Sequence, residues 1–436
     1  MKTENIKTIL EEILQNINNK NFESALSLLN SSSIVKNDKK LSYKIFSIIY
    51  FKKCDWKKSI DYYKKRLTYK ENNFQILNNI GVALFNLGKI NQSIEVYKEA
   101  INENDKFDSI YENIGISYKE IGFYDNAIKF FVKALKLNNK NINAKENLLS
   151  IFNIVKPKIT NAHPLIECNS KIRNLNNNIS IDKIISTNDI KNILNKSRKI
   201  ISLHDQDFNC KETQIFRKNN TNLNCNRHFK IFNKFKIVPK YCFSCYKIQI
   251  ELNNVVDLIR IYFLFDNINL KNNNIRKCII ETRPNVKVNY KGYIYCDGLD
   301  EAKKIYDIIK KNISILGTKK HKIFIKHGCS EYGEIYPKYK KINFEGPQEM
   351  QFDDNWLEKE KIIDEQITAR SKKDEKKFSE TIKGINLYDI FIIKNWLKYA
   401  EIIGDNSHKE IFEKKLNDNF LNVLLKNQIE FRKKNF

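Results

Sequence analysis

The sequence predicts a multidomain protein with an N-terminal all-α solenoid, a central α+β domain and a C-terminal helical segment. Three observations favour this fold class: an early repeat with a period of 34 residues, alternating strand and helix patterns after about residue 240, and a return to helical patterns after about residue 345. The predicted domains are therefore 1–155, 156–345 and 346–436. A chain of 436 residues is long enough for two or three domains, each with its own core.

The repeat is clearest in residues 74–107 and 108–141. Its matched positions are Gly81 and Gly115, Gly88 and Gly122, Ser93 and Ala127, Tyr97 and Phe131, and Ala100 and Ala134. Each segment is predicted to form two antiparallel helices, with glycine and alanine where the helices approach closely and large residues filling the space between them. Such a helix pair cannot bury its apolar face alone, so neighbouring pairs must stack.

These two segments resemble the tetratricopeptide repeat family. Degenerate units at about 40–73 and 6–39 and a capping helix at 142–155 extend the predicted array to about residues 6–155. The resemblance implies that a partner protein or peptide binds on the concave face, which the first helix of each unit lines. On this chain that face would include Asn78, Val82, Phe85, Glu112, Ile116 and Lys119.

Two qualifications apply to the predicted partner. The lysine, asparagine and arginine set with which part of the family grips a C-terminal carboxylate is not present at these positions, which disfavours a chaperone-tail ligand. In the alternative interpretation, the array docks only on the C-terminal part of its own chain.

The central region predicts an α+β domain. Residues 246–252 alternate apolar and polar side chains, as a half-buried strand does, and further strands are predicted at 277–282, 290–296 and 322–326. Helices are predicted at 255–267 and from about 297 to 311. The resulting order, βαββαβ, is that of a ferredoxin-like split unit.

Four residues in this domain have the spacing of metal ligands. Cys225 and His228 are separated by two residues, as are Cys242 and Cys245. Two such chelating pairs joined by a short loop suit tetrahedral zinc, so a structural zinc ion is a possible cofactor. The alternatives are buried thiols beside a surface histidine, or a redox-active pair formed by the last two cysteines.

A second cluster follows the last predicted strand. His327 and Cys329 could form a base–nucleophile pair, with Arg283 binding an anionic substrate, which would make the protein an enzyme. The alternative is a turn with one buried cysteine, and an Arg283 that forms a structural ion pair. The chain carries no glycine-rich phosphate loop, GxSxG or HExxH motif, so the sequence favours a non-enzymatic protein.

The net charge of +26 raises the possibility of nucleic-acid binding. Residues 151–250 carry 18 Lys and Arg against 6 Asp and Glu. In addition, Tyr293 and Tyr295 lie on a predicted strand, as the stacking aromatics of RNA-recognition motifs do. The excess is mostly lysine, and the aromatic platform is incomplete on the first strand, so RNA binding is a less favoured alternative.

No apolar run approaches the roughly 18 residues of a membrane span, and the N-terminus lacks the apolar segment of a signal peptide. The sequence therefore predicts a cytoplasmic protein without a membrane partner. Its leading interpretation is a protein-interaction adaptor: a tetratricopeptide array fused to a basic α+β domain that zinc could stabilise.

Overall fold

The computed structural model describes residues 6–70, 73–158, 162–175, 185–203, 210–315, 321–368, 379–412 and 423–435. It divides into two compact units, one formed by residues 1–148 and 366–377 and the other by residues 149–365 and 378–436. The domain boundaries predicted near residues 155 and 345 stay predictions. Within the described ranges, no helix is long and apolar enough to cross a membrane.

The first unit is entirely helical in its described part. Its helices are α1 (Ile6–Asn18), α2 (Phe22–Ser31), α3 (Ile34–Asn37), α4 (Lys39–Lys52), α5 (Trp56–Leu67), α6 (Asn73–Asn86), α7 (Ile90–Glu103), α8 (Asp108–Glu120), α9 (Tyr124–Leu137) and α10 (Ile142–Ile151), which continues into the second unit. Helices α1/α2, α4/α5, α6/α7 and α8/α9 pack as pairs, and α5 and α7 also pack on the helix that follows them. The predicted repeat of antiparallel helix pairs is therefore observed.

The turn inside each helix pair keeps one backbone conformation. Lys20, Cys54, Gly88 and Gly122 all have a positive φ, between 61° and 82°. They follow one another at intervals of 34 residues, and each lies two residues beyond the end of a helix. A left-handed residue ends a helix by turning the chain back, and glycine adopts it without strain. The period therefore extends over four units, although only two of them keep the glycine.

The second unit contains a five-stranded sheet and the remaining helices. Its elements are α11 (Pro164–Asn174), α12 (Thr187–Ser202), β1 (Gln214–Arg217), α13 (Cys225–Phe235), α14 (Lys240–Ser244), β2 (Cys245–Leu252), α15 (Val255–Asn267), β3 (Arg276–Ile280), β4 (Tyr290–Asp297), α16 (Leu299–Ile315), β5 (Lys322–His327), α17 (Pro337–Lys340), α18 (Leu357–Thr368), α19 (Leu387–Ile403) and α20 (Val423–Asn435).

The sheet order is β1-β3-β4-β2-β5, and every neighbouring pair is antiparallel. From β2 to β5 the elements follow the predicted order βαββαβ. The four predicted strands are present, whereas the edge strand β1 was not predicted. The helix expected from about residue 297 begins at Leu299, because Asp297 ends β4 and Gly298 turns the chain with a φ of +87°.

The two faces of the sheet differ in chemistry. A Cβ atom on Gly292 would lie 3.1 Å from Ile261 and 3.2 Å from Phe265, so Gly292 faces α15. Side chains alternate along a strand, and Lys291 and Tyr293 therefore belong to the opposite face. We call this second face the polar face. Cross-strand pairing and alternation assign to it Lys247, Gln249, Glu251, Lys277, Ile279, Lys291, Tyr293, Tyr295, Lys322, Phe324 and Lys326.

Candidate functional site

The predicted partner-binding residues occupy the first helices of the two clearest repeats. Asn78, Val82 and Phe85 follow one another at helical spacing on α6, and Glu112, Ile116 and Lys119 do so on α8. All six are half-buried. Their side chains lie on one helix face each, with enough exposure to meet a ligand.

Polar contacts join these helices to their neighbours. The Asn113 side-chain amide donates to the Asn78 side-chain oxygen at 2.9 Å. Lys119 Nζ donates to Asn147 Oδ1 at 2.9 Å, and Asn141 Nδ2 donates to Glu112 Oε2 at 2.9 Å. Burial raises the pKa of Glu112. Amide groups therefore hold successive helices together, while Val82, Phe85 and Ile116 supply half-exposed apolar surface.

The predicted metal ligands separate into two environments. Cys242 on α14 and Cys245 at the start of β2 lie beside Cys329, which follows β5. The thiols of Cys242 and Cys329 share a hydrogen bond. A Cβ on Gly328, whose backbone N–H donates to the Cys245 carbonyl at 2.8 Å, would collide with the Cys245 sulfur. Cys329, which spacing did not select as a ligand, thus joins this group.

The pKa values of the thiols reflect their mutual proximity. Burial raises the pKa of Cys225, and the charge of Cys329 raises it further. Burial raises the pKa of Cys245 to about 12, with further contributions from Cys329 and Cys225. The hydrogen bond from Cys242 lowers the pKa of Cys329, so Cys329 is the thiol that deprotonates most easily in this group.

His228 lies in a different environment from the thiols. Its ring stacks on Tyr241 with 5.3 Å between centroids. Burial lowers its pKa, and the nearest charges that act on it are those of Arg227, Glu360 and Asp364. In the described part of the chain, no group of three or more His, Cys, Asp and Glu side chains is already arranged to hold a metal ion.

The predicted catalytic residues do not converge. His327 pairs with Tyr246 across β5 and β2, and its ring lies between Tyr246 at 4.5 Å and Tyr339 at 4.2 Å. Burial lowers its pKa to about 4, so the imidazole is neutral near pH 7. Tyr246 belongs to the face that carries Gly292, whereas Cys329 and Arg283 act electrostatically on Lys247 of the polar face.

Arg283 forms a structural ion pair at the end of the polar face. Its guanidinium donates twice to Glu281, at 2.8 Å in each bond, and Lys291 Nζ donates to the same carboxylate at 2.7 Å. Burial would raise the pKa of Glu281, but these two cations outweigh it and hold the pKa at about 2. These contacts therefore favour a structural role for Arg283, in an ion pair, over the binding of a substrate.

The polar face also carries three half-buried lysines: Lys247, Lys277 and Lys326. Lys247 and Lys326 are directly opposite each other on β2 and β5, and Lys277 is opposite Tyr293 on β3 and β4. Burial lowers the pKa of Lys277 and of Lys326 to about 8. Sequence reasoning noted the two tyrosines of β4 but missed this group, because its members come from three strands.

The comparisons with known proteins concern the helical array. Stacked helix pairs of this kind define a class of repeat protein whose surfaces bind other proteins. Residues 74–107 and 108–141 each match the tetratricopeptide repeat model, so this part of the chain consists of tetratricopeptide repeats. The region that follows the array has no assigned family. No curated protein matches the chain.

Several solved structures are similar to parts of the chain. MamA residues 41–end from Desulfovibrio magneticus RS-1 is 14% identical over 45% of this chain and 93% of its own, with a TM-score of 0.31. The first repeat domain of Spaghetti (RPAP3), bound to the HSP90 peptide SRMEEVD, is 25% identical over 26% of this chain and 90% of its own, with a TM-score of 0.25. PilF of Pseudomonas aeruginosa is 14% identical over 45% of this chain and 87% of its own, with a TM-score of 0.32. Each likeness covers less than half of this chain.

Proposed function

We propose that this protein is an adaptor that holds a protein or peptide segment on the concave face of its tetratricopeptide array. The observation that carries the proposal is the half-exposed apolar strip of Val82, Phe85 and Ile116, set between amide pairs on consecutive first helices. Apolar side chains of a ligand would bury against this strip, while Glu112 and Lys119 would provide polar contacts.

A random dodecapeptide library selected on the full-length protein tests this proposal. We expect enriched peptides that share an apolar spacing. Phe85→Ala and Ile116→Ala should each weaken their binding by about 5- to 100-fold, the effect of removing roughly 1–3 kcal/mol of interface energy. Lys129→Glu, an exposed change on the second helix α9, is the control. Enriched peptides that bind both Phe85→Ala and Ile116→Ala as tightly as the wild type would refute the proposed face.

The α+β region of the second unit is best described as a ferredoxin-like unit with one added edge strand, and this classification is part of the proposal. Two features support it: the element order from β2 to β5, and the strand order β3-β4-β2-β5. In a split βαβ unit, the third strand inserts between the first and the second. Here β4 lies between β2 and β3 in the same way.

Zinc remains a proposal, with a changed set of ligands. If zinc stabilises this unit, we propose Cys225, Cys242, Cys245 and Cys329 as its ligands, which would have to move together to bind it. Their charges act on one another's pKa values, whereas His228 stacks on Tyr241. Four thiolates suit a structural zinc ion. Lys247, whose charge lowers the pKa of Cys329, would help to balance their negative charge.

Metal analysis of the purified protein tests this set. We expect about one zinc per chain in the wild type and in His228→Ala, and less than about 0.2 in Cys329→Ser, because loss of one of four thiolates disrupts a structural site. Loss of zinc in His228→Ala but not in Cys329→Ser would restore the original ligand set. A wild-type protein with less than about 0.2 zinc would remove the proposal.

The enzyme alternative, which requires His327, Cys329 and Arg283 in one pocket, is less favoured, because His327 pairs with Tyr246 on the face opposite Lys247, the residue on which Cys329 and Arg283 act. The RNA alternative is weakened at its aromatic platform, since Tyr293 is only 5% exposed. A base cannot stack on a ring that is covered in this way.

A further inference from the structure

Three cations meet on the polar face of the sheet. Lys247 and Lys326 are direct cross-strand partners on β2 and β5. Like charges placed opposite each other destabilise a sheet. Lys277, from β3, approaches the same place from the other side of β4. The fold thus gathers three half-buried positive charges where pairing would favour apolar or oppositely charged residues.

The aromatic ring of Tyr293 lies between Lys247 and Lys277. The Nζ atoms of Lys247 and Lys277 each lie 5.2 Å from the centroid of its ring. Lys277 Nζ also lies 5.4 Å from the centroid of Phe216. A cation near the face of an aromatic ring is held by the ring's quadrupole. The tyrosine therefore positions the ammonium groups and is itself covered by them.

In the part of the chain that the structure describes, carboxylates act on these lysines only from beyond salt-bridge distance: Glu331 on Lys247 and Lys326, and Glu281 and Glu212 on Lys277. Among the described residues, none of the three forms an ion pair; Lys247 Nζ donates instead to the Gly328 carbonyl at 2.5 Å. Glu281 is the buried carboxylate of this face, and it is already bonded to Arg283 and Lys291. Burial, followed by the charge of Lys247, lowers the pKa of Lys277 and Lys326 to about 8, so both remain largely charged at pH 7.

We propose that the polar face binds a compact phosphate-bearing anion through Lys247, Lys277 and Lys326. Two ammonium groups beside one ring, with a third lysine directly across the strands from one of them, present a cluster of point charges that suits a small anion with several oxygens. Half-burial strengthens each contact, because charges interact more strongly away from bulk water. The anion also relieves the repulsion between the lysines. Its source is either free phosphate or the phosphoryl group of a small molecule.

Variants of Lys277 and Lys326 test the site in the full-length protein. These two lysines are chosen because Lys247 is a neighbour of the candidate zinc thiols. Without ligand, Lys277→Gln and Lys326→Gln should unfold at the same temperature as the wild type or higher, because each removes repulsion. Lys304→Gln is the control: it removes one charge from an exposed position on α16.

Inorganic pyrophosphate is the first probe, measured by calorimetry and by its effect on the unfolding temperature. We expect saturable binding to the wild type and to Lys304→Gln, and binding at least about 10-fold weaker for Lys277→Gln and Lys326→Gln, since each of them loses one charge-assisted contact. Ribose 5-phosphate, compared with inorganic phosphate of similar charge, distinguishes the sources: tighter binding of the sugar phosphate identifies a phosphorylated molecule, and tighter binding of inorganic phosphate identifies free phosphate.

Three outcomes would overturn the proposal. In the first, neither probe binds the wild-type protein. In the second, Lys304→Gln loses as much affinity as Lys277→Gln, which means that only overall charge matters. In the third, a dodecameric oligouridylate binds in a Lys277-dependent way while pyrophosphate does not, which assigns the face to nucleic acid.

Discussion

Arg217, at the end of β1, is the centre of a buried hydrogen-bond network in the second unit. Its Nη2 atom donates to Asp389 at 2.9 Å, to Asp266 at 3.0 Å and to the Tyr262 hydroxyl at 2.9 Å. The side chains of Arg217, Asp266 and Asp389 are at most 7% exposed. This network ties β1 to α15 and α19, so a four-residue strand is anchored by charge as well as by its pairing with β3.

Arg217→Met should destabilise the second unit by roughly 3–5 kcal/mol, because it leaves two buried carboxylates without their cation. Chemical denaturation followed by tryptophan fluorescence would measure the loss. Lys196→Met, an exposed change on α12, should cost less than about 0.5 kcal/mol. Equal effects of the two substitutions would show that the network does not stabilise the fold.

Glu281 gives a prediction about pH. Its pKa of about 2 is below the ordinary value of a glutamate, so its stabilising effect is complete above pH of about 4.5 and is lost as the pH falls towards 2. Glu281→Gln should therefore cost roughly 1–3 kcal/mol at pH 7, and the gap to the wild type should narrow as the pH falls to about 3. Urea denaturation at several pH values measures this gap. A gap that stays constant with pH would contradict the assigned ion pairs.

At the scale of helices, the close packing of each repeat depends on a glycine, which has no side chain, opposite an aromatic ring. A Cβ on Gly81 would lie 2.4 Å from the ring of Tyr97, and one on Gly115 would lie 2.6 Å from Phe131. Tyr97 is only 2% exposed and cannot move aside. These contacts explain why glycine and an aromatic residue recur together in the sequence.

Gly81→Ala should accordingly destabilise the array by roughly 1–3 kcal/mol through overpacking. Thermal unfolding followed by circular dichroism would measure it. The same substitution in a Tyr97→Leu background should cost less, because the smaller side chain leaves room. If the cost is unchanged in that background, the close approach is not its cause.

The left-handed turns predict that two substitutions change the stability of the array in opposite directions. Lys20→Gly should be neutral or stabilising by up to about 1 kcal/mol, since relief of backbone strain exceeds the extra entropy of glycine in the unfolded chain. Gly122→Lys should destabilise by about 1 kcal/mol for the converse reason. Denaturation midpoints of the two variants provide the comparison. A destabilising Lys20→Gly would mean that its side-chain contacts outweigh the turn.

Local patterns in the sequence predicted the helix pairs and four strands, because these features depend on residues close together in the chain. Strand β1 was missed because four residues carry too little alternation to be recognised. The two-residue separation typical of metal ligands also pointed to His228 as a ligand but not to Cys329, which is 84 positions after Cys245. The thiol group and the lysines of the polar face form only when distant strands pair, and no local pattern reports that pairing.

At the scale of the whole molecule, each unit has its own hydrophobic core. Buried clusters in the array centre on residues such as Ile49, Ile80 and Ile114. In the second unit, Ile248, Ile294 and Trp396 are fully buried. A unit with its own core can unfold as a cooperative body.

The units should therefore respond separately to substitutions in each core. We expect two unfolding transitions in calorimetry, with Gly81→Ala lowering only the transition of the array and Arg217→Met lowering only that of the second unit. Each substitution acts through contacts that lie within one unit, and effects at distant sites are independent when they share no partners. Hydrogen exchange of α6 and of α15 would assign the transitions. A single transition that both substitutions lower would show that the two units unfold together, and any ligand that stabilises one would then stabilise the other.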